Sequence, residues 1–329
     1  MKDRDLNLEI LRILCMLFIV MGHVGGRAGY DLPVALMPHH VNCFILISGY
    51  FLITAQFKFE RVLRTAIETI FYSFGITLVL YLFGKATNYD LIKSIIPFGP
   101  TVFNYWFVTK YLALLLLSPF IQKVVSNITR WQYQVLLLTM VFLSSTLFIF
   151  FPLGELFGNG FSLMWMITLF LTSGYLRLYP LKISRLFSFI GMCLCLVVYN
   201  LCSHYFSDIV KLHYNSLITY CLAIFTFLWF KDWQLSNTNW FAKVVMFVAP
   251  HVFAIYLIHE QGLLRTKYMV EWFNMFVGVM PNWVYLFVFG FAVIILCALI
   301  DKLRVRLFKL VKLDLFIADL GKRIDKFYV

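Results

Sequence analysis

Apolar runs recur from one end of the chain to the other, and they constrain the fold more than any other feature. Each is roughly 20 residues long, enough to carry a helix across a bilayer core of about 30 Å. Bounded by charge, Pro or Gly, they fall near 8–25, 35–55, 62–83, 103–121, 133–151, 161–179, 186–205, 212–230, 241–259 and 282–300. Lipid offers the backbone no hydrogen-bond partners, so such runs are read as helices. The predicted fold is an all-α bundle of about ten transmembrane helices. Only 13% of the 329 residues are charged and 62% are hydrophobic, whereas a soluble domain is about a quarter charged. An ordinary soluble enzyme is therefore excluded, and any chemistry has to lie within the bundle. The chain divides into a transmembrane domain, 1–301, and a basic amphipathic tail, 302–329. The opening MKDRD runs into the first span without a small-residue cleavage site, so this span is read as a retained helix. No internal repeat is evident, and an inverted-repeat architecture gains no support.

An even number of spans puts both termini on one side. On that topology 20 of the 28 Lys and Arg fall on the terminal side and six on the other, with Arg12 and Lys110 inside spans. By the positive-inside rule both termini are cytoplasmic, and the chain is a multi-pass protein of the cytoplasmic membrane. The same asymmetry accounts for the net charge of +12. It points to membrane lipids rather than nucleic acid, because the tail interleaves Leu, Phe and Ile with Lys and Arg in the manner of a helix on an anionic leaflet. The seven cysteines lie in apolar runs with no C-x-x-C pair and are read as packing residues, not a disulfide or metal framework.

Charged side chains at bilayer depth are the candidates for function. Arg12 and His23 are eleven residues apart in the first span, which at about 100° per residue puts both on one helix face, about 16 Å apart. Position alone equally fits an Arg12 that snorkels to the inner headgroups and a His23 that caps the helix. In KFERVLRTAIE, Arg61 and Arg64 share a face at the inner mouth of the third span. Two guanidiniums there suit a phosphate or pyrophosphate, and Glu68 is placed to pair with Arg64 at i,i+4. Tyr105 and Trp106 are expected at an outer interface, with Lys110 either snorkelling outward or meeting an acid. His251, His259, Glu260 and Arg265 follow late in the chain. His259 is expected on the same side as His23, so the two histidines with Glu260 suit a proton-transfer step. Adjacent His39 and His40 diverge by about 100° on a helix and do not form a metal pair. No zinc-protease, nucleophile-elbow, phosphate-loop or dinucleotide motif is present.

These residues resemble the membrane-bound acyltransferase-3 family, the polysaccharide O-acetyltransferases. The resemblance rests on Arg12-x10-His23, NCFILISGYFL (42–52), Arg61-x-x-Arg64, NYWFVTKYLALLLLSPF (104–120) and YLIH (256–259), in order along most of the chain. Relatives often have Pro after the late His; Glu260 stands there instead and resembles the capsule and exopolysaccharide branch. The resemblance implies acetyl-CoA as cytoplasmic donor, a hydroxyl of a surface or lipid-linked glycan as acceptor, and no metal. On that expectation Arg61 and Arg64 hold CoA phosphates, Arg12 orients the pantetheine end or the thioester, and His23 acts as general base or transient acyl carrier. The alternatives are a transporter or flippase of glycan precursors and a transferase of another acyl group such as succinyl. Oligomeric state is not legible, since lipid-facing and partner-facing apolar surfaces look alike.

Overall fold

The computed structural model describes residues 5–29, 35–99, 101–146, 158–206, 212–233, 235, 239–275 and 282–328. Every regular element among the described residues is helical. In chain order they are α1 (Leu6–Arg27), α2 (His40–Leu52), α3 (Phe59–Leu82), α4 (Asn88–Ser94), α5 (Trp106–Ser126) and α6 (Arg130–Val141). There follow α7 (Leu163–Leu178), α8 (Arg185–Tyr205), α9 (Leu217–Lys231), α10 (Trp240–Val248), α11 (Val252–His259), α12 (Met269–Asn274), α13 (Asn282–Leu310) and α14 (Leu313–Tyr328). Six helical stretches are long and apolar enough to cross a membrane: Leu6–Arg27, Phe59–Leu82, Trp106–Ser126, Arg185–Tyr205, Trp240–His259 and Trp283–Leu310.

Three predicted spans are shorter than expected. Helices α2, α7 and α9 have 13, 16 and 15 residues, or roughly 20–24 Å at 1.5 Å per residue, short of a bilayer core. The cause is local. Pro38 and the buried His39 immediately precede α2, and the backbone N–H of His213 is turned onto Ser216 Oγ (2.7 Å) just before α9 begins. The fifth run is helical from Arg130 through a π-turn ending at Thr146; its last residues, 147–151, lie outside the described residues, as do Lys2, Arg4 and Lys211. The last run does not stop at 300, because α13 continues to Leu310. The division at 301/302 thus falls inside one continuous helix, and α14 begins after a turn with Lys312 at φ 56°.

The chain forms two compact units. The first contains α1 up to Cys15, α2, α5 from Ala113, and α6 to α9. There α2 packs on α7, and Gly49 lets the backbones approach: a Cβ on it would lie 2.9 Å from the Cα and carbonyl oxygen of Phe170. Polar side chains join the helices from within, as is usual where lipid gives no hydrophobic drive. Trp165 Nε1 donates to Asn42 Oδ1 (3.0 Å), and Asn42 Nδ2 to the Tyr214 carbonyl (2.8 Å). His39 and His40 diverge to separate partners, Thr226 Oγ1 (2.9 Å) and the Tyr214 hydroxyl (3.3 Å).

The second unit holds the rest of α1, α3, α4, the start of α5, α10 from Val244, and α11 to α14. Helix α3 is inside out relative to a soluble helix: its buried residues are Val62, Glu68, Thr69, Tyr72, Ser73 and Thr77, whereas Val79 and Leu82 are exposed. Such a helix is stable when lipid covers the apolar face and neighbours satisfy the polar one.

Substituting Gly49 by Val is expected to cost about 1–3 kcal/mol through overpacking, read as a lower melting temperature in detergent. Gly75→Ala, where a Cβ meets no atom within 4 Å, should leave that temperature unchanged or raise it.

Candidate active site

The last turn of α11 places His259, and the two residues after it turn Glu260 and Gln261 inward. Gln261 fixes this reversal: its Oε1 accepts from the backbone N–H groups of Leu263 and Leu264 (2.9 and 3.0 Å), while Nε2 donates to Thr77 Oγ1 of α3 (2.9 Å). Tyr105 does not sit at an exposed interface as expected. It is buried, and its hydroxyl donates to the Leu257 carbonyl (2.7 Å), because a phenol inside a bundle needs an acceptor there. Its ring lies 6.0 Å from that of Tyr256, which is itself 6.0 Å from His259.

Residues distant in sequence converge on Glu260. His23, near the end of α1, brings Nδ1 to 2.9 Å from Glu260 Oε1 and 3.2 Å from His259 Nε2. Arg27, one turn further along α1, faces the same Oε1 at 3.4 Å and donates to the His23 carbonyl (3.1 Å). Arg265 takes Oε2 at 3.0 Å and anchors on the Val102 carbonyl (3.1 Å). Glu260 and His259 are buried, whereas the side chains of His23 and Arg27 are 31% and 36% exposed. Burial by itself would raise the Glu260 carboxyl; the His23 ring, His259 and Arg265 outweigh it and hold the group below the ordinary carboxylate range.

The proton positions follow from the partners. His259 Nδ1 lies 2.7 Å from the Ile255 carbonyl, which only accepts, so Nδ1 carries the hydrogen and Nε2 of the neutral ring is an acceptor. His23 Nδ1 therefore faces two acceptors, the His259 nitrogen and the Glu260 carboxylate, and must itself be the donor. The lone pair of neutral His23 is left on Nε2, free to take a proton or attack a carbonyl. The same three residues bring metal-ligand atoms within 4.8 Å of one another. However, two guanidiniums already meet the carboxylate and the His23 nitrogen holds a proton, a donor set that opposes a divalent cation.

The remaining candidates are arranged differently from expectation. Arg12 is clamped by Glu9 through two contacts of 2.7 and 2.8 Å in the first unit. Glu68 does not pair with Arg64. It accepts from Arg304 Nη1 (2.9 Å), while Arg304 Nε and the Tyr72 hydroxyl both reach Asp301 Oδ1 (2.6 Å each) and His251 Nδ1 reaches Oδ2 (2.5 Å). Helix α13 presents its own arginine to the buried Glu68, and Arg64, nearer the end of α3, turns to Asp314 Oδ1 (2.6 Å) and Glu60 Oε1 (3.2 Å). Arg61 has no ion-pair partner among the described residues. Lys110 finds no acid in range among the described residues; its ammonium sits 5.8 Å from the centre of the Trp106 ring, a cation–π contact. Arg27, Tyr72, Asp301, Arg304 and Asp314 were not singled out from sequence. The signal for Arg27 was its place one turn after His23, and for Asp301 and Arg304 an i,i+3 pair at the end of an apolar run.

Fold and site together define a helical membrane protein that carries an oriented histidine beside a buried carboxylate. The model of the acyltransferase-3 family, described as an acyltransferase domain, matches residues 5–302, so the chain belongs to that family and is an acyltransferase. No curated protein and no solved structure matches the chain.

Asp301 gathers Tyr72, His251 and Arg304 in a buried setting. Asp301→Ala should therefore destabilise the fold by about 3–5 kcal/mol, seen as a lower melting temperature and folded yield rather than as a selective loss of turnover.

Proposed function

We propose that the protein transfers an acetyl group from cytoplasmic acetyl-CoA to a hydroxyl of a cell-surface or lipid-linked glycan of the capsule or exopolysaccharide kind. The observation that carries this reading is the His23 ring, whose Nδ1 lies 2.9 Å from Glu260 Oε1 and 3.2 Å from His259 Nε2. As the acceptor oxygen attacks the thioester carbonyl carbon, its proton passes to His23 Nε2. Glu260 offsets the charge of the imidazolium so formed, the role of the carboxylate in a hydrolase triad. The tetrahedral adduct then loses its C–S bond, and the imidazolium returns the proton to the CoA thiolate. Acetyl ester and CoA thiol result, with no net proton and no metal required.

Arg61 and Arg64, at the start of α3, are assigned to the donor's phosphates, and Arg12 on α1 to the pantetheine arm. Lys110 on Trp106 and Arg265 on Glu260 are read as supports. On ten crossings of the cytoplasmic membrane, the 20 basic residues on the terminal side against six on the other favour both termini inside. Membrane lipids then surround the bundle, and nucleic acid has no part in the reading.

Purified protein in proteoliposomes, given labelled acetyl-CoA and candidate glycans, should put label on the glycan. His23→Ala is expected to lower transfer by about 10²–10⁴-fold, and Glu260→Gln, which keeps shape and removes charge, by at least about tenfold. A folded His23→Ala protein that transfers at the wild-type rate ends the proposal. Glycan crossing the bilayer without acquiring label makes the protein a transporter.

A further inference from the structure

Helix α14 is fastened to the beginning of α3 at three points. Asp314 Oδ1 lies 2.6 Å from Arg64 Nη1. Gly321 lies against Glu60 so closely that a Cβ would come within 2.8 Å of the Glu60 nitrogen. Asp325 Oδ1 accepts from the backbone N–H of Phe59 (2.7 Å), capping α3 where Lys58, the residue before it, makes no side-chain cap. Ile317, between the first two points, is fully buried. The side of α14 that faces α3 thus carries Asp314, Ile317, Gly321 and Asp325, three to four residues apart, as one helix face requires. Of the three acids of α14, Asp314 and Asp325 are turned inward onto α3, while Asp319 pairs with Arg323 on the exposed side, where Lys322 and Lys326 also lie.

We propose that Asp314 is an internal competitor for the guanidinium of Arg64, so that acyl-CoA has to displace this carboxylate before its phosphate can bind. The inference rests on the reading of Arg64 as a donor contact. A carboxylate and a phosphate oxygen present the same charge-assisted acceptor to a guanidinium, and two carboxylates, Asp314 and Glu60, now occupy both terminal nitrogens of Arg64. The pair is open to exchange: the side chains of Arg64 and Asp314 are 36% and 26% exposed, the setting in which an ion pair contributes little net stability. Release needs only the first turn of α14 to move, since Ile317, Gly321 and Asp325 keep the rest of the helix in place. Asp314 thereby sets the affinity for the donor without touching the reacting atoms.

Binding of CoA to the detergent-purified full chain, measured by calorimetry, tests this. Asp314→Asn should lower the Kd about threefold to tenfold, the range for losing one partly exposed competing charge. Asp314→Glu should keep the wild-type Kd, and Arg64→Gln should raise it. If Arg64→Gln weakens binding and Asp314→Asn leaves it equal or weaker, the competitor is overturned while the donor reading stands. If Arg64→Gln leaves the Kd unchanged, the donor reading fails and the competitor fails with it. Hydrogen exchange on the wild-type chain supplies a test that needs no variant. CoA should speed exchange in residues 313–317 and leave 321–325 unchanged; added protection at 313–317 would overturn the proposal.

Discussion

A carboxylate that cannot reach water has to be met by cations from the protein itself, and the second unit is arranged around two such carboxylates. Glu260 is held by Arg27 and Arg265, with His23 as a further polar partner; Asp301 by Arg304, with His251 and Tyr72 as further polar partners. Neither arrangement is local. Glu260 draws on α1 and on the π-helical turn Leu264–Tyr268 after α11, while Asp301 and Glu68 tie α13 to α3 and to the short turn Ala249–His251 that separates α10 from α11. These contacts do for the helices what apolar burial does in a soluble domain, because apolar surface gains nothing by leaving lipid for protein.

Helix α3 shows how far this rule extends. Along its length Arg64 meets Asp314, Glu68 meets Arg304, Tyr72 meets Asp301 and Thr77 meets Gln261. One helix therefore carries polar contacts from its basic start, over roughly 20 Å at 1.5 Å per residue, to the turn that presents Glu260. A change at the Arg64 end and a change at the Glu260 end act on the same rigid element.

The class of fold was legible because composition and run length answer to one constraint, the thickness and dryness of the bilayer. The likeness of Arg12, His23, Arg61, Arg64 and YLIH to one family was legible too, and residues 5–302 match that family. The convergence of His23, His259 and Glu260 was half legible: side and depth put the two histidines together, but only the place of Arg27 one turn after His23 pointed to the arginines that share the carboxylate. Pairing was misread where a local rule competed with a distant partner. Spacing favoured Glu68 with Arg64; burial decided otherwise, because Glu68 lies deep enough to need the buried Arg304, and Arg64 was left for α14. Helix lengths were misread at α2 and α9 because a hydropathy run does not register where a buried histidine or a serine turn ends the helix.

The two ionic sites of α3 and α11 differ in one property that matters for chemistry, their access to water. Around Glu260 the carboxylate itself is buried and its partners are many, so removing any one leaves a charge stranded, and the arrangement stays fixed. That suits a histidine whose tautomer must not change between turnovers: the Ile255 carbonyl fixes His259, and His259 with Glu260 fixes His23. Around Arg64 the partners are half-exposed carboxylates on a surface helix, and water stands ready to replace either one. A group that must bind and release a charged molecule at each turnover belongs there, where exchanging one anion for another leaves no charge unsatisfied. Fixed protons at one end of the unit and exchangeable anions at the other are thus two outcomes of a single electrostatic rule applied at two depths.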